Sequence, residues 1–129
     1  MIFTEEGNSP FIPDIVLEAQ SNPFFRWVRN SSGNMQVSFM AVSPGGSIPL
    51  ETHKEAEQFV IVIEGEAEVR LGSMKEILGK HGSVLIPTGI EHEFLSIGEE
   101  PLVVVSMYSK AIHPISKNGF IAPTVDDDH

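Results

Sequence analysis

The stretch ETHKEAEQFVIVIEG, residues 51–65, places a group of polar side chains directly before a run of apolar ones. Glu51, His53 and Gln58 carry oxygen and nitrogen atoms of the kinds that bind metal ions, and the five residues after Gln58 are all apolar. Side chains two apart on a strand face the same side, so we expect Glu51 and His53 to point together. The stretch predicts a polar site at the end of a buried β-strand.

The apolar run predicts a strand that is covered on both of its faces. Its alternate side chains form two sets, Gln58, Val60 and Val62 on one face and Phe59, Ile61 and Ile63 on the other. In a small barrel only one face of a strand meets the interior, and the other face needs cover from a second sheet or a second subunit. We therefore expect the protein to form a homodimer through its β-sheet.

Short runs of β-branched and aliphatic residues, separated by Gly, Pro, Ser and Asn, fill most of the remaining sequence, as is typical of an all-β sandwich or barrel. We predict further strands over residues 24–30, 35–43, 65–71, 76–78, 83–87, 91–97 and 101–109. Residues 15–20, IVLEAQ, fit either a short helical turn or an edge strand. We expect a single domain over residues 1–129. It would consist of an N-terminal arm (1–22), a barrel core (23–109) and an irregular C-terminal tail (110–129).

The composition excludes several classes of site and partner. The chain contains no cysteine, which rules out disulfides, thiolate metal sites and cysteine nucleophiles. Its formal net charge of −10 disfavours nucleic acid and anionic membranes, because like charges repel. No segment approaches the length that spans a bilayer, and residues 1–11 lack the basic and apolar regions of a signal peptide. We expect a cytoplasmic protein that binds a small molecule.

A second polar site follows in the stretch GSVLIPTGIEHEFLS, residues 82–96. His92 stands shortly after a turn that contains Pro87 and Gly89, at the start of a predicted strand. A lone histidine near a strand end more often forms a hydrogen bond than binds a metal, but its combination with His53 favours a shared site. His81 lies in a turn, and we assign it no role.

The order and spacing of these residues resemble the two motifs of the cupin superfamily. The first motif runs Gly, five residues, His-x-His, three or four residues, Glu, six residues, Gly; its positions are taken here by Gly45, Glu51-Thr52-His53, Gln58 and Gly65. In the second motif, the matching residues are Pro87, Gly89 and His92, with one residue fewer than usual after Gly82 and Ser96 in place of Asn. Both motifs in order imply the cupin fold, a jelly-roll β-barrel.

The resemblance also implies a metal site in the mouth of the barrel. A typical cupin site has three histidines and one glutamate, whereas here Glu51 takes the first histidine position and Gln58 the glutamate position. The implied ligands are one carboxylate, two imidazoles and an amide oxygen, from Glu51, His53, His92 and Gln58. Glu57 is an alternative to Gln58, although seven residues separate it from Gly65 where the motif has six.

Such nitrogen and oxygen ligands suit divalent iron, manganese, nickel or zinc. The Glu-x-His-x4-Gln variant also resembles small cupins that are loosely called mannose-6-phosphate-isomerase-like. We therefore expect the metal to act on a small polar or sugar-like molecule, through Lewis-acid chemistry in an isomerase, epimerase or lyase, or as iron in a dioxygenase. The alternatives are a non-catalytic binding or sensing module and a degenerate cupin without metal.

Several residues outside the motifs are candidates for the lining of the site. Tyr108 lies at the end of the last strong apolar run and is a candidate proton donor or substrate anchor. The alternative is a structural role, in which Tyr108 is buried and its hydroxyl forms a hydrogen bond within the protein. His113 follows five residues later, and its role stays open. Arg26 and Arg29 lie on the first predicted strand. One of these two arginines is a candidate to line the cavity of the barrel. Arg70 alternates with glutamates, which indicates a solvated strand face.

Overall fold

The computed structural model of the protein describes residues 9–113 and consists mainly of β-strands. It contains the α-helix α1 (Ile15–Ser21). The strands are β1 (Arg26–Ser31), β2 (Gln36–Val42), β3 (Ser47–Glu51), β4 (Gln58–Glu64), β5 (Ala67–Leu71), β6 (Met74–Leu78), β7 (Ser83–Ile86), β8 (His92–Ser96) and β9 (Leu102–Tyr108). No helix within residues 9–113 is long and apolar enough to cross a membrane. The predicted all-β class is confirmed.

The strands form two antiparallel sheets that pack against each other. The five-stranded sheet has the order β1-β2-β9-β4-β7, and the four-stranded sheet has the order β3-β8-β5-β6. Strands that are distant in sequence lie side by side, which distinguishes a jelly-roll barrel from a simple meander. Side chains from the inner faces of both sheets form one core, which contains Met40, Val42, Ile48, Val60, Val62, Ala67, Val69, Ile86, Phe94, Leu102 and Val104. The expected jelly-roll architecture is confirmed.

The inner face of the five-stranded sheet changes from polar to apolar along the barrel. Three successive rows of paired residues consist of Gln36, Tyr108 and Gln58, then Ser38, Ser106 and Val60, then Met40, Val104 and Val62. All of these side chains are buried. The polar row lies at the end where β4 begins and β9 ends, so this end forms the polar mouth of the barrel, and the apolar rows form its floor.

The structure corrects two local predictions and decides a third. The prediction that Glu51 and His53 share a strand face is wrong, because β3 ends at Glu51 and residues 52–57 are irregular. β6 begins at Met74, two residues before the predicted strand, so the turn that precedes it is shorter. Residues 15–20 are helical, and the Asp14 side chain caps the helix by accepting a hydrogen bond from the Leu17 amide at 3.0 Å.

The helix α1 covers part of the outer face of the five-stranded sheet. A second apolar cluster contains Ala19 of the helix together with Phe39, Ile63, Val103 and Val105 of the sheet. The chain therefore supplies part of the cover that we expected from a second sheet or subunit. On the same outer face, Phe59 and its cross-strand partner Leu85 stay 37% and 56% exposed.

Candidate metal centre

Three residues from different parts of the chain meet at the mouth of the barrel. Glu51 is the last residue of β3 and pairs directly with His92, the first residue of β8. His53 reaches the same place from the irregular segment after β3. Its backbone is held there because the Gly89 amide donates a hydrogen bond to the His53 carbonyl oxygen at 2.8 Å. The turn at Pro87-Thr88-Gly89 thus holds His53 through this hydrogen bond and leads into β8, which begins with His92.

The side chains of these three residues form a compact group of candidate ligands. Their donor atoms all lie within 4.8 Å of one another. Glu51 Oε1 lies 3.4 Å from His53 Nε2 and 3.7 Å from His92 Nε2, and the two imidazole rings are 5.0 Å apart between centroids. Two imidazoles and one carboxylate in this arrangement are a donor set for divalent transition metals.

The histidines present their lone pairs to the centre of this group. His92 Nδ1 lies 2.9 Å from the Ile90 carbonyl oxygen, to which it donates, so the neutral ring directs an unprotonated Nε2 towards Glu51. Both Nε2 atoms are buried and have no hydrogen-bond partner within residues 9–113. Buried lone pairs that face a carboxylate oxygen need a cation between them, which is a proton or a metal ion.

The electrostatics of the group agree with this requirement. Burial alone would raise the pKa of the Glu51 carboxyl, but the adjacent imidazoles of His53 and His92 outweigh burial and hold the pKa well below its usual range. Burial lowers the pKa of His92, yet the adjacent Glu51 carboxylate and the hydrogen bond to the Ile90 carbonyl raise it overall. The carboxylate is therefore ionised at neutral pH and attracts a cation to the imidazoles.

Gln58 lies beside the group and offers one free oxygen. Its side chain is buried, and Nε2 donates to Ser106 Oγ and to the Tyr108 hydroxyl, each at 3.2 Å. Gln58 Oε1 is buried without a hydrogen-bond partner in the described residues. Glu57, the alternative, is exposed. The inward residue is thus Gln58, and its role as a fourth ligand stays a prediction.

Tyr108 and His113 form a second wall of the mouth. The Tyr108 ring packs edge to face against His53 and His113, with centroid distances of 5.7 and 4.9 Å, and His113 is 6.0 Å from His53. Burial raises the pKa of Tyr108, so its hydroxyl stays protonated at neutral pH. Burial and the charge of Arg26 lower the pKa of His113 to about 4, which keeps its imidazole neutral.

Gln36 holds His113 at the mouth of the barrel. No pattern in the sequence identifies Gln36 as a residue of the site. This fully buried side chain accepts hydrogen bonds from the Ile112 and His113 amides at 3.3 and 3.0 Å and donates to the His113 carbonyl oxygen at 3.0 Å. The segment after β9 is thereby fixed over the mouth. The only sequence signal for His113 is its proximity to Tyr108.

The remaining candidates have other surroundings. Arg29 donates to Glu18 at 2.7 Å and to carbonyl oxygens of the N-terminal segment, so it holds that segment on the barrel. Arg70 is exposed and pairs with glutamates on its own sheet, as the alternation predicts. His81 is exposed in the turn before β7. Arg26 faces the barrel interior, because it pairs with buried Met40 on β2.

The Cupin domain family matches residues 38–108, which is more than half of the chain. The chain belongs to the cupin family. Among curated relatives of this cupin, YrkC of Bacillus subtilis is 27% identical over 120 residues, and the match covers 88% of this chain and 64% of YrkC. This cupin thus spans less than two thirds of that relative.

Solved structures share the same fold. BH2720 from Bacillus halodurans aligns with this cupin with a TM-score of 0.84 and 29% identity, over 97% of this chain and 96% of that one. A predicted oxalate decarboxylase from Thermotoga maritima aligns with a TM-score of 0.56 and 16% identity, over 58% of this chain and 65% of that one. The second likeness concerns the fold alone.

Proposed function

We propose that this cupin binds a divalent transition metal at the mouth of its barrel and uses it to bind and transform a small polar molecule. The observation that carries the proposal is the convergence of Glu51, His53 and His92, with two buried imidazole nitrogens that lack hydrogen-bond partners in the described residues. Gln58 is the proposed fourth ligand through its unpartnered Oε1. Iron, manganese, nickel and zinc all suit this donor set.

A bound divalent ion would supply Lewis acidity for isomerase, epimerase or lyase chemistry, or oxygen chemistry in the case of iron. The chain itself supports a polar ligand at the same place. The protonated Tyr108 hydroxyl is a hydrogen-bond donor beside His53, and His113 Nε2 is buried without a partner in the described residues. The apolar floor below the polar row lowers the local dielectric constant, which strengthens polar contacts with a ligand.

Metal analysis tests the metal site directly. We expect protein purified without chelator, or reloaded with each candidate ion, to bind about one equivalent. His53→Ala and His92→Ala should each weaken binding by about 100-fold or more, because each removes a ligand from the set. His81→Asn is the matched control, since His81 is exposed in a turn with φ 74°, a conformation that asparagine tolerates.

Two outcomes contradict the metal site. Substoichiometric metal under every loading condition would indicate the degenerate cupin, in which Glu51 and Gln58 no longer serve a metal. Loss of binding in His81→Asn to the extent seen for His92→Ala would mean that the site lies elsewhere. Turnover assays on the metal-loaded protein with sugar phosphates, keto acids and dioxygen then separate an enzyme from a non-catalytic binding module, which binds without converting its ligand.

A homodimer and a cytoplasmic location complete the proposal. The exposed Phe59 and Leu85 on the outer face of the five-stranded sheet support the homodimer. The location rests on the sequence expectation, and fractionation of cells that express the tagged chain tests it.

A further inference from the structure

Arg26 is a charged side chain inside the barrel that the metal site does not use. It lies on β1 opposite Met40, a core residue, and is only partly exposed. Its Nη2 lies 4.0 Å from Met40 Sδ, and its guanidinium carbon lies 5.5 Å from the centre of the Phe25 ring. These neighbours pack against the guanidinium but do not balance its charge.

The chain contains three arginines, and the other two have carboxylate partners. Arg29 pairs with Glu18, and Arg70 pairs with Glu68 and Glu93. Within residues 9–113 no carboxylate lies within salt-bridge distance of Arg26, and its Nε is buried without a hydrogen-bond partner. A guanidinium stays charged at any physiological pH, so burying it without a counter-ion is costly.

Arg26 shares its chamber with the candidate metal centre. Burial is the largest influence on the pKa values of Glu51, Tyr108 and His113, and the charge of Arg26 acts on all three. Arg26 starts on the inner face of β1 in the row of Met40, two rows from the polar mouth, and its charge acts across the interior on Glu51 of β3 and Tyr108 of β9. A ligand placed between the two sheets therefore meets both the metal ligands and Arg26.

The charges at this mouth favour one class of ligand. Ligating histidines are neutral, so a divalent ion and Arg26 together bring more positive charge than the single carboxylate of Glu51 balances. A neutral sugar would leave this excess in place, whereas an oxyanion would balance it. The planar guanidinium also matches carboxylate and phosphate oxygens with paired hydrogen bonds.

We propose that the ligand of this cupin is a small molecule with an oxyanion, a carboxylate or a phosphate, which Arg26 binds while another oxygen reaches the Glu51, His53 and His92 group. The second half of this statement rests on the proposed metal function. The first half stands on Arg26 alone and holds for metal-free protein as well.

Calorimetric titration with matched probes tests the inference. Glucose, gluconate and glucose 6-phosphate share a carbon skeleton and differ in charge, and lactamide, lactate and pyruvate form a smaller series. We expect an anionic probe to bind at least about tenfold more tightly than its neutral counterpart, and Arg26→Gln to abolish this preference. Arg26→Lys should keep part of it, because the charge remains and the paired geometry is lost. Preference for gluconate or lactate indicates a carboxylate, and preference for glucose 6-phosphate a phosphate.

Chemical labelling gives a second measurement that needs no variant. Phenylglyoxal modifies arginines, and Arg70 is an internal reference because its side chain is 49% exposed. The bound anion should slow the labelling of Arg26 and leave that of Arg70 unchanged. Equal labelling of Arg26 with and without anion, or no preference for any anionic probe, would overturn the inference, since the charge of Arg26 would then be balanced within the chain.

The two proposals fail in different ways. Arg26→Gln should keep the metal content of the wild type, because Arg26 is not a proposed ligand. Anion binding that depends on Arg26, in a protein that takes up no metal under any loading condition, would contradict only the metal function. Full metal binding with no anion preference would contradict only the role of Arg26.

Discussion

The carboxylate of the candidate site comes from the end of β3 and not from the start of β4. Glu51 supplies it, and β4 contributes the amide of Gln58, whose Nε2 donates to the hydroxyls of Ser106 and Tyr108. A glutamate at position 58 would lose these donated bonds and place a second negative charge near Glu51. The amide therefore fits a site that already has its carboxylate.

We expect Gln58→Glu to have opposite effects on the metal-free and metal-loaded protein. Without metal, repulsion between the carboxylates at positions 51 and 58 should lower the melting temperature. With metal, the added charge should tighten binding by about tenfold, because a carboxylate is a stronger ligand than an amide oxygen. Gln58→Met is the control, since it keeps the volume, removes the oxygen and should weaken binding. Unchanged affinity in both variants would mean that Gln58 Oε1 does not contact the metal.

The sequence identifies residues whose function depends on local spacing and misses those whose position depends on distant contacts. Motif spacing brought Glu51, His53 and His92 together correctly, although the strand argument for His53 was wrong. Gln36 holds the backbone of His113 across 77 positions, and no pattern in the sequence relates the two. Arg26 was one of two candidates, and because residues three apart on a strand face opposite sides, alternation separates Arg26 from Arg29 without showing which of them faces inward.

The turn from β4 to β5 is tightly constrained by packing. Gly65 occupies it with φ +83°, and a Cβ there would lie 2.6 Å from the Pro101 carbonyl oxygen and 2.9 Å from Leu102 Cα. Glycine is required at this turn for its conformation and also for the close approach of the segment that begins β9.

A pair of glycine variants separates these two requirements. Gly45 has φ +84° and open space where a Cβ would lie, so Gly45→Ala should cost about 1 kcal/mol from backbone strain alone. Gly65→Ala should cost about 1–3 kcal/mol more, because the backbone of β9 must move. Urea unfolding of both variants measures the difference. Equal losses would show that the Pro101 segment moves aside freely.

The strands themselves differ in how well their sequences predict them. β4 and β9 are apolar on both faces and were predicted to within a residue or two. β3 was not predicted, because its five residues include Pro49 and place exposed Leu50 next to it. It is a strand because β8 pairs with it from Ser47 to Glu51, a tertiary contact that overrides weak local preference.

At the scale of the whole molecule, the two sheets have outer faces of different character. The outer face of the five-stranded sheet is apolar, and α1 covers only part of it, which leaves Phe59 and Leu85 exposed. Leu85 lies on β7, an edge strand of this sheet. Exposed apolar residues beside an open edge favour association with another sheet. The outer face of the four-stranded sheet carries Glu68, Arg70 and Glu93, which suit contact with water.

These features predict that two copies associate through the face that carries Phe59 and Leu85. Light scattering coupled to gel filtration should give about twice the chain mass of 14.1 kDa. Leu85→Asp should produce monomers, because it places a charge in the apolar contact. Ile77→Asp is the matched control: Ile77 is 58% exposed, against 56% for Leu85, but it lies on β6 in the other sheet. A monomeric wild type, or dissociation by Ile77→Asp and not by Leu85→Asp, would contradict this interface. In the latter case the dimer would associate through the four-stranded sheet, and α1 alone would account for the apolar outer face of β4.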